Sequence, residues 1–133
     1  MTGLLILLIA AQAAPVVPAP PVMSTVAPVP PTDWSIMPPL PWRMPPQLSP
    51  DLQSFAADEV RAGRCTTPRP SVDVEMAVMV RADGFVRAVV PRAIDCPTVE
   101  QFAAGLVTSF ARNNLRQPAA GWYRATITFD WGR

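Results

Sequence analysis

The sequence predicts a two-layer α+β domain, in element order α-β-β-α-β, whose three-stranded antiparallel or mixed sheet has strand order 2-1-3 and carries two helices on one face. Three observations predict it. Residues 72–81 and 122–131 alternate apolar and polar side chains at period two, as half-buried strands do. Residues 50–62 and 98–115 space their apolar side chains at helical period instead. Pro91 interrupts a further apolar run and confines that strand to a sheet edge or a bulge, because proline cannot donate to a ladder.

Composition divides the chain before any element is placed. Thirteen of its 18 prolines fall between Pro15 and Pro50, whereas 19 of its 21 charges fall in residues 51–133. Residues 14–48 therefore read as a disordered proline-rich tether, polyproline II mixed with coil, and residues 49–133 as the domain. Within the tether, Pro38 to Pro46 also has the form of a docking peptide, with Trp42 and Arg43 in an extended frame. The plainer reading keeps a spacer whose Trp34 and Trp42 rest against the domain. At the N-terminus, the 11-residue run from Leu4 to Ala14, apolar or small but for Gln12, suits a signal-peptide core and falls short of the ~20 a membrane span needs. Ala11-Gln12-Ala13 has the small-x-small form of a cleavage site, so residues 1–13 are expected to be removed. No residue from Met1 to Thr32 is charged, which leaves an uncleaved short anchor as the alternative. Both readings put the domain outside the cytoplasm, where a disulfide between Cys65 and Cys96 is expected.

Charge and residue types exclude several functions. Eleven arginines against ten acids give a net charge of +1 with no basic stripe, so no nucleic-acid partner is expected. The chain has no histidine, which removes the usual Ser/His/Asp, Cys/His and zinc-hydrolase chemistries. No C-x-x-C motif is present, so the cysteines read as structural rather than redox-active. Asp73 and Glu75 share the outward face of one strand, which is the ordinary place for solvated charge. No catalytic residue, metal site or cofactor is expected. A small exported enzyme would need a cleft of perturbed ionisable groups that the sequence does not suggest.

The elements follow in order. Ser49-Pro50-Asp51 supplies an N-cap, a first-turn proline and an acid at the positive end of the helix dipole. The first helix then runs from Pro50 to about Ala62, with Leu52, Phe55, Ala56 and Val60 as its stripe and Gly63 as its left-handed cap. Val72, Val74, Met76, Val78 and Val80 form the buried face of the first strand. The second, Phe85 to Ile94, is read with Val86, Ala88, Val90 and Ile94 inward. A three-residue Ala82-Asp83-Gly84 loop keeps the two apolar faces together, pairing Val80 with Val86, Val78 with Ala88 and Met76 with Val90. In that register Cys96 lies beside Pro70, so a bridge to Cys65 requires the 65–70 loop to fold back. Thr98-Val99-Glu100-Gln101 resembles a capping box, opening a helix that runs to about Leu115 with Val99, Phe102, Ala103, Leu106 and Phe110 along one side. Tyr123, Ala125, Ile127, Phe129 and Trp131 are the inward side of the last strand, whose far edge is expected to be open.

These elements bring out a resemblance. Val78-Met79-Val80-Arg81-Ala82-Asp83-Gly84-Phe85-Val86, the helix from Phe102 to Leu115, and Leu115-Arg116-Gln117-Pro118-Ala119-Ala120-Gly121 before a strand ending in Phe129 resemble the C-terminal domain of TonB-type energy transducers. The likeness spans about Val74 to Phe129, and an apolar N-terminus followed by a proline-rich arm is that family's layout too. The resemblance implies a non-catalytic periplasmic module that receives an extended segment of an envelope protein, such as an outer-membrane receptor, by strand addition at the third strand. Trp122, Arg124, Thr126 and Thr128 are then the partner-binding residues, and the same edge could pair with a second copy. The family's histidine-bearing membrane span has no counterpart here, so binding without energy transduction is the leading expectation. A short transducer anchored in the inner membrane and facing the periplasm is the alternative.

Overall fold

A computed structural model describes Gly3 and residues 10–16, 28–67 and 69–132. Most of the expected signal-peptide core and residues 17–27 of the arm lie outside the described residues. The domain comprises α1 (Pro50–Arg61), β1 (Ser71–Val80), β2 (Val86–Pro91), α2 (Pro97–Phe110) and β3 (Gly121–Asp130). The sheet order is β2-β1-β3, and both pairings are antiparallel. This is the α+β arrangement that the two sequence periods and Pro91 predict.

One face of the sheet buries Val74, Met76, Val78 and Val80 of β1 with Ala125, Ile127 and Phe129 of β3. Ala56 of α1 and Val99, Ala103 and Val107 of α2 close the same core, so both helices lie on that face. Phe55 stacks on Phe102 at 4.1 Å between ring centroids, and Phe102 meets Phe129 at 5.9 Å. These three rings join α1, α2 and β3 in one contact, which adds about 0.5 to 1.5 kcal/mol per pair beyond area burial.

The hairpin corrects the expected register. Its loop is the three-residue one: Arg81 N–H donates to the Phe85 carbonyl (2.8 Å), Gly84 has φ +85°, and Val80 pairs with Val86. A β-bulge opposite Met79 and Val80 then inserts one residue into β2, so Val78 faces Val89 and Met76 faces Pro91. Val86, Val89 and Ile94 therefore pack on the core, rather than Ala88 and Val90. The bulge exchanges a small inward alanine for a valine at the cost of one unpaired position.

The start of α2 is likewise rebuilt. Its N-cap is Cys96 and its first residue Pro97, and Glu100 reaches back to accept from the N–H groups of Cys96 (3.0 Å) and Ile94 (3.2 Å). The Thr98 hydroxyl, expected as the cap, instead donates to Glu59 Oε2 of α1 at 2.7 Å. The helix ends at Phe110, short of Leu115, because Asn113 takes a left-handed conformation (φ +53°) that turns the chain toward Leu115.

The helix ends are stapled together at this point. Cys65 and Cys96 are disulfide-bonded, 31 positions apart in sequence, with Cα atoms 4.7 Å apart. β2 stops at Pro91 and Asp95 takes φ +57°, which swings Cys96 off the strand line and over the end of α1. Beside the bridge, Glu59 Oε2 accepts from Arg64 Nε (2.6 Å) and Glu59 Oε1 from Arg64 Nη2 (3.0 Å). The Arg64 guanidinium, then the Thr98 hydroxyl, holds the Glu59 carboxyl below the usual range.

Replacing both Cys65 and Cys96 by alanine should lower unfolding free energy by about 3 to 4 kcal/mol, the loop-closure value for a ring of this length, as read by urea titration. The Glu59 carboxylate is stabilised in the folded chain, so its contribution is present above the ordinary glutamate pKa and fades as pH falls through the lowered one. Glu59→Gln should accordingly lower the melting temperature at pH 7, with the gap to the parent chain closing below about pH 4. A gap that stays constant with pH would assign the loss to packing instead.

Candidate functional site

A three-stranded sheet has two edges, and alternation of backbone direction decides what each one offers. On β2, Arg92 N–H donates to the Glu75 carbonyl at 2.8 Å, so Val90 and Ala88 also face β1. The backbone N–H and carbonyl of Val89 and the carbonyl of Pro91 point away from β1, and Pro91 has no N–H to give. Bulge and proline together make this edge a poor template for another strand.

On β3, the odd residues Tyr123, Ala125, Ile127 and Phe129 bond to β1 and the even ones face outward. Arg124 fixes that parity. Its N–H donates to the Pro38 carbonyl (2.8 Å), and its carbonyl accepts from Leu40 N–H (2.7 Å), forming a parallel bridge with Pro39. The edge expected to be open is thus occupied at Arg124 by the chain's own proline-rich segment.

That segment wraps the edge as a strap. On the outer sheet face Trp34 lies under the Arg92 guanidinium, 4.4 Å from the ring centroid, and Arg124 Nε donates to the Met37 carbonyl (2.9 Å). Met37 and Ala77 are both buried there, outside the inner core cluster. Past Arg124 the strap turns to the inner face, where Leu40 is 4% exposed and belongs to the core cluster with Trp42 packed against it. Trp42 bridges Leu115, Arg116 N–H donates to the Pro41 carbonyl (2.8 Å), and Arg43 N–H donates to the Asn114 carbonyl (2.7 Å). The Asn114 side chain bonds both backbone groups of Met44, at 2.9 and 2.8 Å. Residues from Trp34 to Met44, read in sequence as part of a tether, follow the domain surface.

The far end of the β3 edge is also closed. Asp130 N–H donates to Gln53 Oε1 (3.2 Å), and Gln53 Nε2 donates to the Leu48 carbonyl (3.2 Å). Of the four residues expected to bind a partner, Trp122 lies on the hairpin side of the strap, Arg124 is engaged by it, and Thr126 and Thr128 lie beyond. The outward N–H and carbonyl of Thr126 and Thr128 meet no backbone partner among the described residues. Both threonine side chains are exposed, and the Thr128 hydroxyl donates to Asp73 Oδ1 at 2.7 Å. A cleft of about 430 Å³ beside Thr126 is walled by Leu40, Trp42 and Glu75. A second of about 660 Å³ beside Thr128 is walled by Gln53, Ala57, Arg61 and Trp131.

Sequence reasoning placed Trp34 and Trp42 against the domain, as the structure has them, and singled out Arg43 only as part of a docking peptide; it missed Met37, Leu40, Gln53 and Asn114. The available signal was an apolar trio, Met37, Leu40 and Trp42, set among prolines that fix an extended backbone and show neither structural period. Among the described residues no cluster of three or more His, Cys, Asp or Glu could hold a metal, and no helix is long and apolar enough to cross a membrane. Comparison with known proteins finds no matching family model, no matching curated protein and no matching solved structure.

If the strap belongs to the fold, Leu40→Ala should cost about 2 to 4 kcal/mol in urea unfolding, the price of a core leucine. A residue on a free tether would cost under about 0.5 kcal/mol.

Proposed function

We propose that this chain is a non-catalytic binding module of the cell envelope that takes a short extended segment of a partner protein on the β3 edge at Thr126 and Thr128. The observation that carries the reading is the strap. At Arg124 the edge already accepts an extended segment through backbone hydrogen bonds, so its geometry suits strand addition, and the next two outward-facing residues offer the same groups. The clefts on either side of these threonines supply places for alternate side chains of an added strand. The second edge, with Pro91 and the bulge, offers no comparable row of donors. A disulfide is in keeping with an exported chain, and a periplasmic location belongs to this proposal. The resemblance to the TonB C-terminal domain supports the same edge as the docking place. It also points to an envelope protein, such as an outer-membrane receptor, as the partner. The strap alters the expected footprint: a partner strand has two outward-facing residues to pair with rather than the full length of β3. Pairing of two copies along the whole edge is disfavoured on the same ground.

A proline at Thr126 removes an outward N–H and leaves the β1–β3 ladder intact. Thr126→Pro should therefore keep the far-ultraviolet circular dichroism spectrum while abolishing crosslinking to envelope proteins from a photoreactive group placed at Thr128. Ile127→Pro removes a ladder donor and should unfold the sheet instead, by about 3 kcal/mol or more. Unchanged crosslinking of folded Thr126→Pro would remove the edge from the binding reaction.

A further inference from the structure

We infer that the cleft at the hairpin end of the domain binds the free C-terminal carboxylate of a peptide whose last side chain is apolar. This cleft, of about 470 Å³, is walled by the β1–β2 loop, the turn after α2 and the strap, and neither Thr126 nor Thr128 reaches it. Its lining is apolar at Val86, Ala111 and Leu115, and Phe85 beside them is 59% exposed, a large ring left in water. Two arginines, Arg43 and Arg112, complete the wall.

Their chemistry is what gives the cleft a ligand class. Arg43 Nε donates to the Leu115 carbonyl at 3.1 Å, which orients the guanidinium and leaves its two terminal nitrogens to other acceptors. Arg112 makes no side-chain hydrogen bond or ion pair among the described residues. The acid in the wall, Asp83, is already met by Arg81 Nη2 at 2.7 Å. The lining thus carries two arginines without an acid partner together with the apolar Phe85, Val86, Ala111 and Leu115, among polar Thr108, Asn113 and Gln117. Guanidinium groups bind carboxylates through paired, charge-assisted hydrogen bonds, and an apolar side chain on Phe85, Val86 and Leu115 would remove that surface from water. The volume suits two or three residues of a ligand. The cleft opens to solvent, so a chain end can enter it while the preceding residues run outward. Arg112 also sits favourably against the negative end of α2, but that role involves neither Arg43 nor a ligand.

The test is an NMR titration of the full, disulfide-bonded chain with an N-acetylated tetrapeptide ending in phenylalanine. It is run alongside the same peptide as its C-terminal amide and alongside phenylacetate. The free acid should shift the amides of Phe85, Val86 and Arg112 to Leu115 saturably, leave Thr126 and Thr128 unmoved, and bind at least about tenfold more tightly than the amide. Arg112→Gln should weaken the acid by about tenfold, with Arg112→Lys restoring part of the loss. Equal binding of acid and amide would overturn the proposal, as would the absence of saturation up to about 5 mM. Phenylacetate binding as tightly as the tetrapeptide would assign a small acid rather than a chain end. Shifts confined to Thr126 and Thr128 would also overturn it while supporting the edge as the binding place, so the two readings fail separately.

Discussion

Every outward-facing backbone group on a three-stranded sheet must find water, a partner or a cover, and in this chain that requirement organises nearly everything around the core. One edge is dealt with inside the strand, by a bulge and by Pro91 at an outward position. The other is dealt with by the strap at Arg124 and the Gln53 amide at Asp130. What remains uncovered between them, Thr126 and Thr128, is therefore a defined gap rather than a generic strand edge. An exposed edge is an aggregation hazard, and a protein that covers most of one while leaving a short stretch bare limits which strands can add to it.

The strap also changes what the domain is. A core of this size is marginal by surface-to-volume scaling, and the three devices that support it act at different corners. The disulfide and the Glu59–Arg64–Thr98 contact tie the end of α1 to the start of α2. The Phe55, Phe102 and Phe129 rings tie both helices to β3. The strap ties the outer sheet face, the β3 edge and the turn after α2 to one another, burying Met37 and Leu40 on opposite sides of the sheet.

Most of the secondary structure was legible because strand and helix periods differ and each leaves its own mark. β1 and β3 carried clean alternation, α1 carried a cap, a stripe and a terminal glycine, and Pro91 put β2 at an edge. The misreadings share one physical cause. Ala88, Val89 and Val90 are all apolar, so no local pattern shows which of them turns inward, and the bulge is settled by which side chain fills the space against α2. Thr98 and Glu100 are both good capping residues, and the choice between them depends on Glu59, which is remote in sequence and adjacent in space. The candidate edge was legible as a strand, and Trp34 and Trp42 marked the arm as resting on the domain, but its seat along Arg124 was not legible, since prolines that enforce an extended backbone look the same wherever they dock.

The amino-acid sequence alone determined the element order, the strand order, the buried face of β1 and β3, and the absence of histidine chemistry, because these follow from periodicity and from which groups are present. The tertiary structure alone decided the register of β2, the seat of the strap and the two threonines left bare. Those depend on long-range hydrogen bonds, such as Arg124 to Pro38 and Asn114 to Met44, between residues about 70 or more positions apart, a distance over which no local pattern carries information.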